Sequence, residues 1–423
     1  LSEKSAAAGY SPFRVRSFRF QWPADLCASW GFEMEIIILG WYVLVETQSV
    51  LMLTVFGALQ YLGTMLAPLS GVMGSRVGNK RMICAMRCAY ALLASTVMTL
   101  ALTGLLVPLH VFIFGTLLGL FRPSDLVMRY ALIGQTIPSE RLLGATSVSR
   151  TTQDSARIMG ALTGAGLSSA LGIGYAYLVI AGLYATSFLL SLQVAGRGAT
   201  PAGVRTGAAH DAPRETSAWR DLLDVLAYVW NTPRLLAVMC IAFLVNLSAF
   251  PFMTGLMPYV AKEIYRTGQT GVGYLVASFA AGALLGSLVL TRVGGQVRPG
   301  RFVVVFCAVW YVLILVFVQM PGPVSGSVAL MLAGLAQSLC LVPLSAMLLR
   351  TSDERHRGGV MGVRQLMIYG VPIGLLIAGQ LIPRVGYGMT VAIYCAVSLG
   401  VTALIAVYWR EDLWRLGAPA NAR

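Results

Sequence analysis

Hydrophobic and polar positions alternate along this chain over stretches far longer than a strand or an ordinary amphipathic helix. Twelve apolar runs follow one another, cut by short charge clusters or by Pro and Gly: 22–45, 50–73, 82–106, 109–129, 142–169, 175–195, 234–260, 271–291, 302–320, 327–349, 359–382 and 388–409. A helix needs about 20 mostly apolar residues to cross a bilayer, so each run predicts one spanning helix. Six precede one long polar stretch and six follow it. Within that stretch Gly196 to Ala218 is rich in Gly, Ala, Thr, Pro and Arg, the composition of a flexible linker. From Trp219 to Trp230 the period changes: Leu222, Leu223, Leu226, Tyr228 and Trp230 oppose Arg220, Asp221 and Asp224. This predicts an amphipathic helix on the inner membrane surface, stopped by Pro233. The expected organisation is a six-helix bundle over 1–195, a linker with its helix over 196–233, and a second six-helix bundle over 234–423.

Composition removes the soluble alternatives. Of 423 residues, 57% are hydrophobic and 11% charged, with mean hydropathy +0.74; soluble domains carry about 25% charged residues. The net charge of +14 would raise nucleic-acid binding in a soluble protein, but here it reads as topogenic charge. With both termini inside, twenty-one Lys and Arg fall in inner segments and three, Lys262, Arg266 and Arg384, in outer loops. That asymmetry predicts cytoplasmic termini. No small-residue cleavage site follows the first run, which is read as a retained helix. Seven cysteines sit almost entirely in apolar runs without metal-ligand spacing and read as small hydrophobes. Three histidines, His110, His210 and His356, argue against a His-based acyltransferase or metalloprotease. Without a Walker-type loop, a catalytic constellation, a metal or a cofactor, the chain reads as a non-enzyme. Its expected partners are a small-molecule substrate, a proton and the bilayer, with no nucleic acid, and it is expected to be a monomer.

The two halves echo each other. Ser139-Glu140-Arg141-Leu142-Leu143-Gly144 followed by Arg150 aligns with Asp353-Glu354-Arg355-His356-Arg357-Gly358 followed by Arg364, at an offset of 214 residues. At the same offset Gly160 meets Gly374, Leu167 meets Leu381, Gly172 meets Gly386, and Gly174 meets Gly388. A second echo links Ser75-Arg76-Val77-Gly78 to Thr291-Arg292-Val293-Gly294. Two pseudo-symmetric six-helix bundles joined by a linker are transporter architecture, with a substrate site expected between them near the midplane.

Gly71-x3-Ser75-Arg76-x-Gly78-x-Lys80-Arg81 resembles the hallmark of the major facilitator superfamily, whose form between helices 2 and 3 is Gly-x3-Asp-Arg/Lys-x-Gly-x-Arg/Lys-Arg/Lys. The resemblance implies an all-α integral membrane protein with 12 spanning helices. It also implies that this loop helps hold the inside closed, with Ser75 replacing the family's Asp and weakening the latch. Gly40-Trp41, Glu46-Thr47-Gln48-Ser49, Gly57-Ala58-Leu59-Gln60, Ala156-Arg157-Ile158-Met159-Gly160 and Phe243-Leu244-Val245-Asn246 look like the branch containing the enterobactin exporter and macrolide efflux proteins, of drug:proton antiporter-3 or transmembrane-secretion-effector type. Drug antiporters carry Gly-Pro in span 5 where this chain has Gly160-Ala161 and then Thr163-Gly164. The glycines for close packing remain, but the antiporter-specific proline does not.

Ionisable side chains inside spans are costly and point to function. Span 1 carries Asp25, Glu33 and Glu35. Glu33 and Glu35 point about 200° apart, so one is expected to line the central path and the other to meet a neighbouring helix. Either could carry a proton or contact substrate, with a structural ion pair as the plainer reading. Arg122, Asp125 and Arg129 share a face of span 4 around Pro123 and are expected to pair. Asp125 is a further proton-coupling candidate, and Arg122 could meet an anionic group of the substrate. Arg150, Asp154 and Arg157 share a face of span 5, and Arg150 repeats as Arg364 in span 11, which favours a role in gating the inner mouth. Gly71, Ser75, Arg76, Gly78, Lys80, Arg81 and Arg292 join them as conformational candidates. Asn246, Gln337 and Trp30 are candidates for the substrate wall.

The expected function is proton-coupled export of a medium-sized polar or amphiphilic molecule, a siderophore in first place. The alternatives are multidrug or macrolide efflux and uncoupled uptake of a nutrient.

Overall fold

The computed structural model describes residues 12–65, 77–194, 218–293, 299–353 and 356–410. Among the described residues every regular element is helical. The first half forms α1 (Arg16–Thr47), α2 (Val50–Leu59) with a 3-10 turn at Leu62–Met65, α3 (Asn79–Leu102), α4 (Pro108–Thr136), α5 (Ser139–Leu171) and α6 (Ile173–Leu192). The linker helix is α7 (Ala218–Asn231). The second half forms α8 (Pro233–Ser248), α9 (Gln269–Val293), α10 (Pro299–Val318), α11 (Pro323–Thr351), α12 (Arg357–Leu366), α13 (Gly370–Val385) and α14 (Tyr387–Tyr408). Ten described segments are long and apolar enough to cross a membrane. Two spans of the twelve fall outside that count for visible reasons. The described part of the second is short, and α5, though 33 residues long, carries Arg150, Asp154 and Arg157.

Three elements differ in detail from their apolar runs. α1 begins six residues before its run, because Phe18 packs against Ile133, Ile137 and Ala145 and draws the basic start of the helix into the fold. After α8 the chain continues as π-helical turns at Pro251–Gly255 and Val260–Ile264. Pro251 brings no N–H to the helical ladder, which favours such an irregular turn. The eleventh run is split by a 3-10 turn at Met367–Tyr369 into α12 and α13.

The chain divides into two compact units. The first comprises Leu1–Gln48, Leu59–Thr206 and Thr267–Ala277; the second comprises Ser49–Ala58, Gly207–Arg266 and Ser278–Arg423. In the first, α1 lies against α5 and α6, and α3 packs on α6. Gly160 and Gly164 make the α1–α5 approach close: a Cβ on Gly160 would stand 2.6 Å from Glu33 Cβ, and one on Gly164 2.8 Å from Met34 Cα. In the second, α10 packs on α11 and α8 on α13. A Cβ on Gly370 would stand 2.7 Å from Leu247 N, and one on Gly374 2.8 Å from Pro251 Cγ. Small residues one turn apart thus seat a helix on its neighbour in both units.

The repeat is also visible in the backbone. Gly172 ends α5 and starts α6 at φ 85°, ψ 168°, while Gly386 ends α13 and starts α14 at φ 85°, ψ 161°. Only glycine occupies that region without strain. The linker helix α7 belongs to the second unit, where Tyr228 stacks on His356 with ring centroids 4.3 Å apart. The Tyr228 hydroxyl also accepts the Asp353 backbone N–H at 3.2 Å. Leu223, Leu226 and Trp230 remain exposed along α7.

Candidate functional site

The first unit gathers its charge in three groups, and the rotation of α1 separates them. A helix turns about 100° per residue, so Asp25, Glu33 and Glu35 leave α1 in different directions.

Glu33 faces a cavity of about 90 Å³ lined by α1, α3, α4, α5 and α6. Its Oε1 accepts from Arg122 Nη2 at 3.1 Å, and its Oε2 stands 3.9 Å from Arg157 Nε. One carboxylate from α1 therefore serves a cation from α4 and another from α5. The Arg122 guanidinium also lies 3.4 Å above the Phe32 ring centroid, where the ring's quadrupole attracts it. The side chains of Glu33 and Arg122 are 15% and 41% exposed, so this end of the cavity is open. Arg150 and Asp154 line the same cavity and form a loose pair at 3.7 Å.

Glu35 turns the other way and is buried. Its two oxygens accept from Tyr177 at 3.0 Å and Tyr184 at 2.9 Å, both on α6. No ion pair to it occurs among the described residues; two phenols supply the polar contacts that a buried acid requires.

Asp25 joins a four-charge cluster. Arg87 of α3 donates to Asp25 and to Ser191 of α6. Arg129 binds Asp125 Oδ2 at 2.7 and 2.8 Å, donates to Ser29 Oγ at 2.7 Å, and stands 3.6 Å from Asp25 Oδ1. Two acids and two arginines cancel, and all four are buried. Such a cluster is stable only because each charge has a partner.

Of the span 4 set, Asp125 and Arg129 pair, whereas Arg122 leaves Asp125 for Glu33. Arg150, Asp154 and Arg157 come together with Glu33 and Arg122 at one cavity. Trp30 donates its indole N–H to Thr163 Oγ1 at 2.8 Å and ties α1 to α5. Asn246 donates to Ala242 O of its own helix at 2.7 Å, and Gln337 is buried within α11 of the second unit. Gly71, Ser75 and Arg76 lie outside the described residues. Gly78 precedes α3 at φ 99°, Lys80 is half-buried, Arg81 and Arg292 are exposed, and Arg364 is half-buried in α12.

Three contributors escaped the sequence reading. Arg87 is a lone cation within an otherwise apolar run, and that isolation was its signal. Tyr177 and Tyr184 are seven residues apart and share one face of α6, but nothing in their own run points to an acid on α1.

Helices of this length, grouped in two repeated units of which the first encloses a charged cavity, define a membrane transporter of the major facilitator fold. More narrowly, the family model for transmembrane secretion effectors matches residues 7–412, and the chain belongs to that family. It is a transporter and not an enzyme. No curated protein sequence matches it. Among solved structures, a single-substitution mutant of the nucleoside transporter NupG is similar with a TM-score of 0.72 at 12% identity, over 94% of this chain and 99% of that one. A bacterial homolog of the human lysosomal transporter Spinster, in an inward-facing and unoccupied conformation, gives 0.69 at 12% identity, covering 96% and 99%. The human organic anion transporter MFSD10 (TETRAN) gives 0.67 at 14% identity, covering 92% and 99%. Identities this low carry the fold alone.

Proposed function

We propose that the protein is a proton-coupled exporter of a medium-sized polar or amphiphilic molecule, with a siderophore as the favoured substrate. In this reading it works in the bacterial inner membrane with both termini in the cytoplasm. The observation that carries the reading is Glu33, held by Arg122 and within reach of Arg157 at the open end of a polar cavity. A proton added there removes the ion pairs that tie α4 and α5 to α1 at this cavity, so one event alters contacts among three helices. A ligand shifts a conformational equilibrium only through such differential contacts. Glu35 is engaged elsewhere by two tyrosines and serves the frame around the site, while Asp125 pairs with Arg129 through one oxygen and lines the same cavity as Glu33. The export direction follows the secretion-effector family, and the siderophore preference rests on the mixture of arginines and acids in the cavity.

The test is proton movement in energised inverted vesicles, read with a pH-gradient dye during challenge with siderophore and lipophilic-drug panels. Collapse of the gradient by a siderophore, abolished by Glu33→Gln, is the expected outcome. A response to lipophilic drugs alone supports multidrug efflux instead. Silence to both panels, with the protein present in the membrane, overturns coupled export of these compounds.

A further inference from the structure

The inner end of the unit 1 cavity holds a second chemical feature. Tyr90 Oη and Asp125 Oδ1 both belong to cavity-lining side chains, both are buried, and neither has a hydrogen-bond partner. Arg87 Nε also makes no hydrogen bond and meets Asp125 Oδ1 only as a long ion pair at 3.8 Å. Asp125 spends its other oxygen on Arg129, and Tyr90 packs its ring against Tyr184 and Phe121. Two buried donors and one buried acceptor therefore lack a hydrogen bond in this part of the unit, and two of them, Tyr90 and Asp125, line one cavity. Native interiors rarely leave such groups unmade, because each costs about 1–3 kcal/mol. The group that completes them accepts from a phenol or guanidinium and donates to a carboxylate. A hydroxyl does both.

The open end of the same cavity has the opposite need. Arg122 and Arg157 share the single carboxylate of Glu33, while Asp125 and Asp154 are occupied by Arg129 and Arg150. The lining thus carries one guanidinium more than it has carboxylates. We infer that the cavity selects organic acids bearing a hydroxyl at the end remote from the carboxylate, the acid group meeting Arg122 and Arg157 and the hydroxyl filling the site at Tyr90 and Asp125. This rests on the cavity being the substrate site, and it adds which chemistry sits at which end. A site built to hydrogen-bond a hydroxyl discriminates strongly against the analogue lacking it, because its own polar groups are then stranded.

The test is calorimetric binding to the purified full-length chain in nanodiscs, comparing 4-hydroxyphenylacetate and 3-hydroxyphenylacetate with phenylacetate. At least one hydroxy acid is expected to bind tenfold or more tightly than phenylacetate. Tyr90→Phe, which removes one oxygen and keeps the ring, is expected to erase most of that ratio while leaving phenylacetate affinity within twofold. Arg157→Gln is expected to weaken all three acids together. Equal affinity for hydroxy and deoxy acids, or a ratio that survives Tyr90→Phe, means that water alone fills the inner end and overturns the inference. Absence of binding by every acid to well-folded protein overturns it as well. The vesicle assay is independent of these acids: a Glu33-dependent siderophore response with no hydroxyl discrimination removes this inference only, whereas loss of that response removes the reading beneath it.

Discussion

The two units share a plan and fill it with opposite chemistry. Gly172 and Gly386 make the same turn between the last two helices of each half, and Gly160 and Gly374 seat equivalent helices on their neighbours. Yet the first unit buries Asp25, Glu35, Arg87, Asp125 and Arg129, while the second buries no charged side chain among the described residues. Its interior is built from Trp310, Tyr311, Phe317, Phe252, Cys307 and Cys340, with hydroxyls and the Gln337 amide as its buried polar side chains. Small residues and turns are therefore enough to build a six-helix unit of this kind. The charges of the first unit are an addition to that plan, and their desolvation cost makes them candidates for function.

The sharpest way to break this comparison is to unbalance the buried cluster. Arg87→Met leaves Asp25 without its main partner and Ser191 without its donor, and breaking a buried pair costs about 3–5 kcal/mol. A large fall in thermal midpoint in detergent is expected. The double variant with Asp25→Asn restores more than half of it, since a neutral amide no longer demands a cation. An unchanged midpoint in the single variant would show that the cluster is dispensable and that the two interiors differ in appearance only.

Glu35 provides a second effect of the same kind. Glu35→Ala strands the hydroxyls of Tyr177 and Tyr184 in the interior, at about 1–3 kcal/mol for each unpaired donor. Glu35→Gln keeps a carbonyl acceptor for one phenol and is expected to lose about half as much. Equal losses would mean that the charge of Glu35, and not its hydrogen bonding, matters to the fold.

Much of this was legible in the residue pattern, and the limits were physical. Every apolar run has a helical counterpart among the described residues, because run length against bilayer thickness is a strong constraint. The echo at Gly172 and Gly386 marked a shared backbone turn before any angle was known. The divergence of Glu33 and Glu35 followed from helical rotation alone, but which of them met the cavity depended on how α1 is turned against α5 and α6. That was set by Gly160, Gly164 and the Trp30–Thr163 bond, contacts that join distant parts of the chain. Arg122 was expected beside Asp125 by its spacing, yet a partner across helices and an aromatic face at Phe32 drew it to Glu33 instead. The π-turn at Pro251 was hidden because proline also occurs in continuous helices, as Pro123 does in α4.

Gly160→Ala and Gly374→Ala sharpen the comparison at equivalent positions. Each inserts a Cβ into a close helix contact, and overpacking of this kind costs about 1–3 kcal/mol. The stability loss is expected to be larger at Gly374, where a Cβ would press on the Leu247 backbone oxygen, than at Gly160, where it would meet a side-chain carbon. The effects on transport are expected in the opposite order, because the Gly160 Cβ would stand 2.6 Å from Glu33 Cβ and displace the carboxylate from Arg122. Proton coupling in vesicles is expected to fall in the first variant by more than its loss of folded protein explains. Parallel falls in both would place the functional weight on helix packing in general.

The smallest expected effect isolates what charge contributes, by comparing neutral hydrogen bonds in the two units. Trp30 donates to Thr163 at 2.8 Å in the first, and Tyr311 and Ser248 meet at 2.8 Å in the second. The hydroxyls are placed alike, since Thr163 donates to Met159 O and Ser248 to Leu244 O, although Tyr311 also meets Ser398. Double-mutant cycles with Trp30→Phe and Thr163→Val, and with Tyr311→Phe and Ser248→Ala, are expected to return about 0.6 kcal/mol each, the usual worth of such a bond between membrane helices. Equal values would confine the asymmetry of the units to their ions. A markedly larger value for the Trp30 cycle would mean that the charged half strengthens its neutral bonds as well, through the packing that holds Glu33 in place.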